Sequence, residues 1–231
     1  MRGERGKRSF RLMSHLIATL FYITIVTLCI ITISCGLPTT EYLYPPAIFS
    51  STGGVLVIEH DKRNIDEPDV SSIFQGYEIY YRVFDNSDNA TNSYSYISNM
   101  KSTNVINTAN YYKYYPLKHG KDVSPLIKVS DNTYTYYYLK MLLGETWTLI
   151  GDDPASTTIL DSVVRNTSED FYLYSKYEVG DLDYDGSNSS PSKVYIVFFA
   201  FAYGFDPSTM KNVYSDPVIL EPSVEYIPGG T

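Results

Sequence analysis

Cysteine is almost absent from this chain: Cys29 and Cys35 are its two thiols in 231 residues. A fold stapled by several disulfides is therefore excluded, and the core must hold by packing alone. Histidine is equally sparse. His15, His60 and His119 lie far apart in sequence, and neither His60 nor His119 has a second ligand at metal spacing. His60 sits in Glu-His-Asp-Lys at a strand end, where a solvated side chain is the expected state. There is no Gly-x-Ser-x-Gly and no glycine loop to cradle a phosphate. Ser190-Pro191-Ser192-Lys193 and Ser208-Thr209-Met210-Lys211 fit Ser-x-x-Lys, a pattern short enough to arise by chance in a serine-rich chain. Basic charge is also in short supply, 18 Lys+Arg against 26 Asp+Glu. A net charge of −8 argues against nucleic acid as a partner. After Thr40, no window sustains an apolar 3.6-residue repeat with helix caps.

The N-terminus is organised differently from the rest. Arg2, Arg5, Lys7, Arg8 and Arg11 stand against a single Glu4, and Leu16 to Ser34 then runs without a charge. A basic region followed by an apolar one is the layout of an export signal. At about 20 apolar residues the run is also long enough to stay in the membrane as an uncleaved anchor. The residues at its end, Thr32-Ile33-Ser34-Cys35, resemble the lipobox of bacterial lipoproteins, in the relaxed form found in spirochaetes. That resemblance implies cleavage after Ser34, acylation of Cys35, and residues 1–34 as a lipoprotein signal peptide. Cys29 does not fit, because Leu28 is too bulky for the position before a cut. Either outcome leaves the body of the chain outside the cytoplasm, with the basic flank inside.

Loss of residues 1–34 removes five basic residues and one acidic residue, leaving 13 Lys+Arg, 25 Asp+Glu and a net charge of −12. Attachment to anionic lipid then falls to acyl chains rather than to protein charge. Residues 35–46 read as a tether ending in Pro45-Pro46, and residues 47–222 as a single domain followed by a C-terminal tail at 223–231.

Twenty-four tyrosines are what the chain has in excess. With Val, Ile, Thr and Phe they favour the pleated, half-buried surface of a sheet, and the expected class is all-β. Strands are expected at Val55 to His60, Phe74 to Phe84, Ser192 to Gly204 and Ser215 to Leu220, with others in Gly144 to Asp152 and Thr157 to Val164. In Phe74 to Phe84 the alternation assigns Tyr77, Ile79, Tyr81 and Val83 to the core face. Residues 85–110, rich in Asn and Ser, read as a long mobile connection. Residues 111–143 carry two aromatic runs around a turn and read as added strands. Val194 to Tyr203 is apolar in both phases, so both of its faces need cover, and the aromatic insertion is the candidate for the outer one.

Gly76-Tyr77-Glu78-Ile79-Tyr80-Tyr81-Arg82, the strand from Tyr195 to Gly204, and Ser215-Asp216-Pro217-Val218 stand in an order that resembles fibronectin type III and related immunoglobulin-like sandwiches. The resemblance implies such a sandwich with a long Tyr-rich insertion at about 85–145. Its tyrosine-corner position falls to Tyr195 only in a phase that points Ala200 and Ala202 outward. It names no ligand.

One cluster carries a chemical mechanism. Asp181, Asp183 and Asp185 at alternate positions, with Gly186 for the turn, match the first half of a calcium loop of the EF-hand kind. Ser192 stands where the bidentate glutamate belongs, so a weak calcium site and a plain acidic turn are both open. Two functions follow. One is a non-catalytic, lipid-anchored lipoprotein whose sandwich binds a protein or glycan or acts as a structural spacer. The other is a carbohydrate-active enzyme of the cell envelope using paired carboxylates. The tyrosines serve the core, or form an exposed platform for a partner, and their solvent access separates the two.

Overall fold

The computed structural model describes residue 22, the stretches 42–52, 54–118, 125–129, 134–141, 147–153, residue 155, 159–163, residue 177, 179–188 and 191–226. Residues 1–41 and 42–231 form two compact units, and the second holds everything that follows.

Its strands and helices run β1 (Ile48–Thr52), β2 (Val55–Glu59), α1 (Arg63–Asp66), α2 (Pro68–Ser71), β3 (Phe74–Phe84), α3 (Ser87–Ile97), α4 (Val105–Tyr111), β4 (Tyr115–Pro116) and β5 (Ile127–Lys128). They continue with β6 (Tyr136–Lys140), β7 (Trp147–Gly151), β8 (Asp161–Val163), β9 (Tyr184–Asp185), β10 (Lys193–Asp206), β11 (Lys211–Tyr214), β12 (Val218–Ile219) and β13 (Ser223–Tyr226). One sheet has the order β1-β2-β6-β7-β8. The other is built on an antiparallel β3–β10 ladder, with β4, β5 and β9 along the free side of β3 and β11, β12 and β13 along that of β10. The body is thus mostly antiparallel sheet, as expected.

The two sheets share one core. Leu56 and Ile58 of β2, Leu139 of β6 and Leu149 of β7 pack with Tyr77, Ile79, Tyr81 and Val83 of β3 and with Ile196, Phe198, Ala200 and Ala202 of β10. Trp147 meets Tyr81 edge-on at 6.0 Å. The expected inward set of β3 is therefore the observed one. In β10 the alanines point inward, while Tyr195 packs on the outer face and takes no corner position in the core.

The outer face of the β3–β10 ladder is where the sequence misled. Tyr80, Phe84, Val197, Phe199 and Phe201 are covered there by Ala90, Ile97, Val105 and Ala109, that is, by α3 and α4. The segment expected to be a mobile connection is a helical cover, and the body is not purely β. Helix α3 starts because the Asn86 side chain accepts the backbone N–H of Asp88 at 2.7 Å and of Asn89 at 3.3 Å. Its buried positions, Ala90, Ser93 and Ile97, recur at helical spacing, but Ala90 is small and Ser93 polar, so only Ile97 gives a strong apolar signal. Tyr114 follows α4 and donates or accepts a 2.8 Å bond with Ser93, tying the cover to itself. Of the expected aromatic strands, β4 and β5 are short additions beside β3, and β6 belongs to the opposite sheet.

The domain limits also shift. Leu43 is fully buried and the Tyr44 N–H bonds the Asn64 carbonyl oxygen of the side chain at 2.9 Å, so the body begins within the expected tether. β13 pairs with β10 from Lys193 to Ile196, which brings the first part of the expected tail into the sheet.

Gly76 marks the closest backbone approach. It has a φ of 150°, and a Cβ there would lie 1.9 Å from the Ile127 carbonyl oxygen. Gly76→Ala is expected to lower unfolding free energy by about 2 kcal/mol or more, read as a fall in urea midpoint with unchanged slope.

Candidate functional site

Cys35 lies outside the described residues, as do residues 119–124 with His119. Among the described residues no helix is long and apolar enough to cross a membrane.

The three aspartates of the acidic loop are all described, and two of them are drawn to opposite faces of β3. Asp183 is fully buried and accepts the hydroxyl proton of Tyr81, a residue of the inner face of β3. Asp185 forms an ion pair at 2.6 Å with Arg82, which leaves the opposite face of the same strand. Neighbouring residues of β3 point to opposite sides of the sheet, so these carboxylates are drawn apart rather than onto one cation. Among the described residues no group of three Asp, Glu, His or Cys side chains is placed to hold a metal. The loop is instead closed by Asp85, whose carboxylate accepts the N–H of Ser187 at 2.7 Å and of Asn188 at 3.2 Å. The second Ser-x-x-Lys stretch is a turn as well. Ser208 donates its N–H and Thr209 its hydroxyl to Asp206, which holds that carboxyl down to about 2.

His60 is not solvated: it is 5 % exposed, stacked near Phe74 and wedged beside Tyr77. The Tyr77 hydroxyl accepts the Asp61 N–H at 3.0 Å and the Asn64 amide at 3.1 Å, which uses both of its lone pairs. Its own proton therefore goes to Nδ1 of His60, 2.9 Å away, and the imidazole carries its hydrogen on Nε2. That Nε2 is buried with no hydrogen-bond partner. A proton added at Nδ1 would face the Tyr77 O–H, so the network stores a preference for neutral imidazole. Sequence pattern missed it because Glu-His-Asp-Lys looks solvent-facing, and only the hydroxyl of a residue 17 positions away makes it a core group.

The site with the most varied chemistry lies on the outer side of β3. A groove of about 300 Å³ has Arg82 and Phe84 of β3 as its floor. Asn89, Asn92, Ser93 and Tyr96 form one wall. These four sit at i, i+3, i+4 and i+7 of α3, one continuous stripe beside the buried one. Tyr112, just past α4, and Asp185 of β9 complete the lining.

Arg82 organises this groove. Its guanidinium donates to the Tyr112 carbonyl at 2.5 Å and to Asp185 at 2.6 Å, and lies 5.2 Å from the centre of the Phe84 ring. The Tyr112 carbonyl is among those left unpaired at a helix C-terminus, where a cation is favoured. The strand thus fixes the end of α4 and the β9 turn through one residue. Tyr96 and Tyr112 stack at 5.5 Å with planes 9° apart, and Tyr111 meets Tyr112 edge-on at 4.9 Å. Tyr96 is 62 % and Tyr111 79 % exposed, so these rings reach solvent while Tyr77, Tyr81 and Tyr114 are buried. Tyrosine is therefore found both in the core and at the surface. The Asn, Ser and Tyr stripe of α3 is legible in the sequence only once the helix is assumed.

The pH response of His60 follows from its burial, which holds the imidazole below its ordinary value. Asp61 and Asp66 favour the charged ring and Lys62 opposes it, but desolvation is the largest effect. The folded protein then binds the proton less readily than the unfolded chain, so stability present above about pH 6.5 is lost as pH falls below it. The urea midpoint of the wild type is expected to drop between about pH 7 and about pH 5, and that of His60→Gln to stay flat. Asp61, held below its usual range by Arg63, loses its contribution only at lower pH. The chain matches no protein-family model, no curated protein and no solved structure.

Proposed function

We propose that this protein is a non-catalytic lipoprotein, anchored outside the cytoplasm by acyl chains on Cys35, that binds a protein or glycan through its sandwich body. The anchor rests on the lipobox-like Thr32-Ile33-Ser34-Cys35 behind a basic and then apolar segment. The body starts at Tyr42, so only a short link would separate it from the membrane.

The binding reading is carried by the groove beside α3. It presents solvent-facing rings, two side-chain amides and a single carboxylate, and that carboxylate is already paired with Arg82. Glycoside cleavage by the usual route needs two carboxyl groups facing each other across the bond, one of them with a raised pKa. Asp61 and Asp216 are instead held below the usual carboxylate range, the first chiefly by the Arg63 guanidinium and the second chiefly by the Ser102 N–H. These features favour recognition over hydrolysis.

The fibronectin type III or immunoglobulin-like reading is part of the same proposal. In such sandwiches the chain places its first strands in one sheet, crosses, returns and crosses again, and the third, sixth and seventh strands share a sheet. Here β1 and β2 lie in one sheet, β3 in the other, β6 in the first and β10 with β12 and β13 in the second, an order that supports it. The helical cover and the added strands β7 and β8 are then elaborations on that plan.

Intact mass and detergent partitioning of the protein from its native host test the anchor. The expected product begins at Cys35 with added acyl mass, and Cys35→Ala loses its partition into detergent. A product that retains residues 1–34 and a variant that still partitions would replace the lipid with a helix.

A further inference from the structure

The chemistry of the groove narrows its ligand. Arg82 and Asp185 neutralise each other across 2.6 Å, so the groove offers no net charge to a phosphate or carboxylate. The surrounding body, at −12 from Cys35 onward, repels anions further. An anionic ligand therefore gains little there beyond what water gives it.

What the groove does offer is flat apolar area next to fixed polar groups. The exposed Tyr96 ring, braced by the parallel Tyr112 ring, is held in place by a second aromatic and so loses little entropy on contact. The side-chain amides of Asn89 and Asn92 make no hydrogen bond among the described residues, and each supplies two donors and an acceptor. Arg82 uses two of its five N–H groups on the Tyr112 carbonyl and Asp185, and Asp185 keeps a carboxylate oxygen at the groove. Donors and acceptors alternating around a ring face match vicinal hydroxyl groups, each of which donates and accepts at once. Extended peptides by contrast are held by unpaired strand edges or apolar pockets, and this lining is neither. The volume, about 300 Å³, lies at the small end for ligand sites, which suits one or two sugar units.

We infer that the groove between α3 and β3 binds an uncharged saccharide, with the apolar face of a pyranose on Tyr96 and its hydroxyls on Asn89, Asn92 and the Arg82–Asp185 pair. This rests on the binding reading above and names the ligand class for it.

The test uses the full chain in a detergent without a sugar headgroup. Saturation-transfer NMR is run with neutral oligosaccharides of glucose, galactose, mannose and N-acetylglucosamine, with galacturonate oligomers and with a mixed peptide library. The expected result is transfer to the ring hydrogens of at least one neutral saccharide. That signal should weaken at least tenfold in Tyr96→Ala and in Asn92→Ala and persist in Tyr42→Ala, all three with wild-type circular dichroism. Should neither exposed-site variant keep that spectrum, protection of Tyr96 from nitration by the bound saccharide in the wild type replaces them. No transfer from any neutral saccharide, transfer that survives both groove variants, an unprotected Tyr96, or a preference for galacturonate overturns the inference. Peptides binding at Tyr96 in place of sugars also overturn it while leaving the binding reading intact. A failed acylation result at Cys35 bears on the anchor alone.

Discussion

The structure depends on one ladder whose two faces are both denied water. β3 and β10 pair antiparallel from Phe84 and Tyr195 to Phe74 and Gly204, and most of their residues are buried. A two-stranded ribbon has no stability alone, and fully burying a large apolar side chain contributes about 1.5–3 kcal/mol. The ladder therefore demands cover on each side. The β1-β2-β6-β7-β8 sheet supplies it on one, and α3 with α4 on the other. Each remaining element can be read as a response to that demand, from the Asn86 cap that starts α3 to the Asp216 carboxylate that receives the Ser102 N–H and steadies the link between the helices.

Much of this was legible in the residues. The eleven-residue strand from Phe74 to Phe84 appears with the limits its alternation gives, and its inner set is Tyr77, Ile79, Tyr81 and Val83. The two-phase apolarity of β10 announced that its outer face would be covered. What covers it was hidden, because α3 packs through Ala90, Ser93 and Ile97, and a small and a hydroxylated residue beside a single isoleucine leave too little apolar periodicity to read. A Ser is acceptable there only because Tyr114 arrives from beyond α4 to share its hydrogen bond. That partnership is tertiary, and no local rule reports it.

The same limit explains the acidic loop and His60. Alternate aspartates are the spacing of a cation loop, yet which way Asp183 and Asp185 point was decided by Tyr81 and Arg82, about a hundred residues earlier in the chain. His60 was assigned to solvent from its charged neighbours, and the Tyr77 hydroxyl overruled them. Tyrosine is the common factor. On the inner side of β3 its hydroxyls close polar networks inside an apolar core, and burial pushes the pKa of the Tyr77 hydroxyl above its ordinary value, so it keeps its proton. Beyond α3 its rings face outward as surface.

The alternation of β3 has a consequence for how this chain can change over generations. Tyr81 and Val83 serve the core, while Arg82 between them serves the groove, and the groove wall on α3 shares only Ser93 with the buried stripe. Substitutions at residues 82, 89, 92 and 96 therefore alter what the outer surface meets with little effect on the inter-sheet packing. The helical cover is in that sense a surface open to change, mounted on a strand whose inward residues are held by the core.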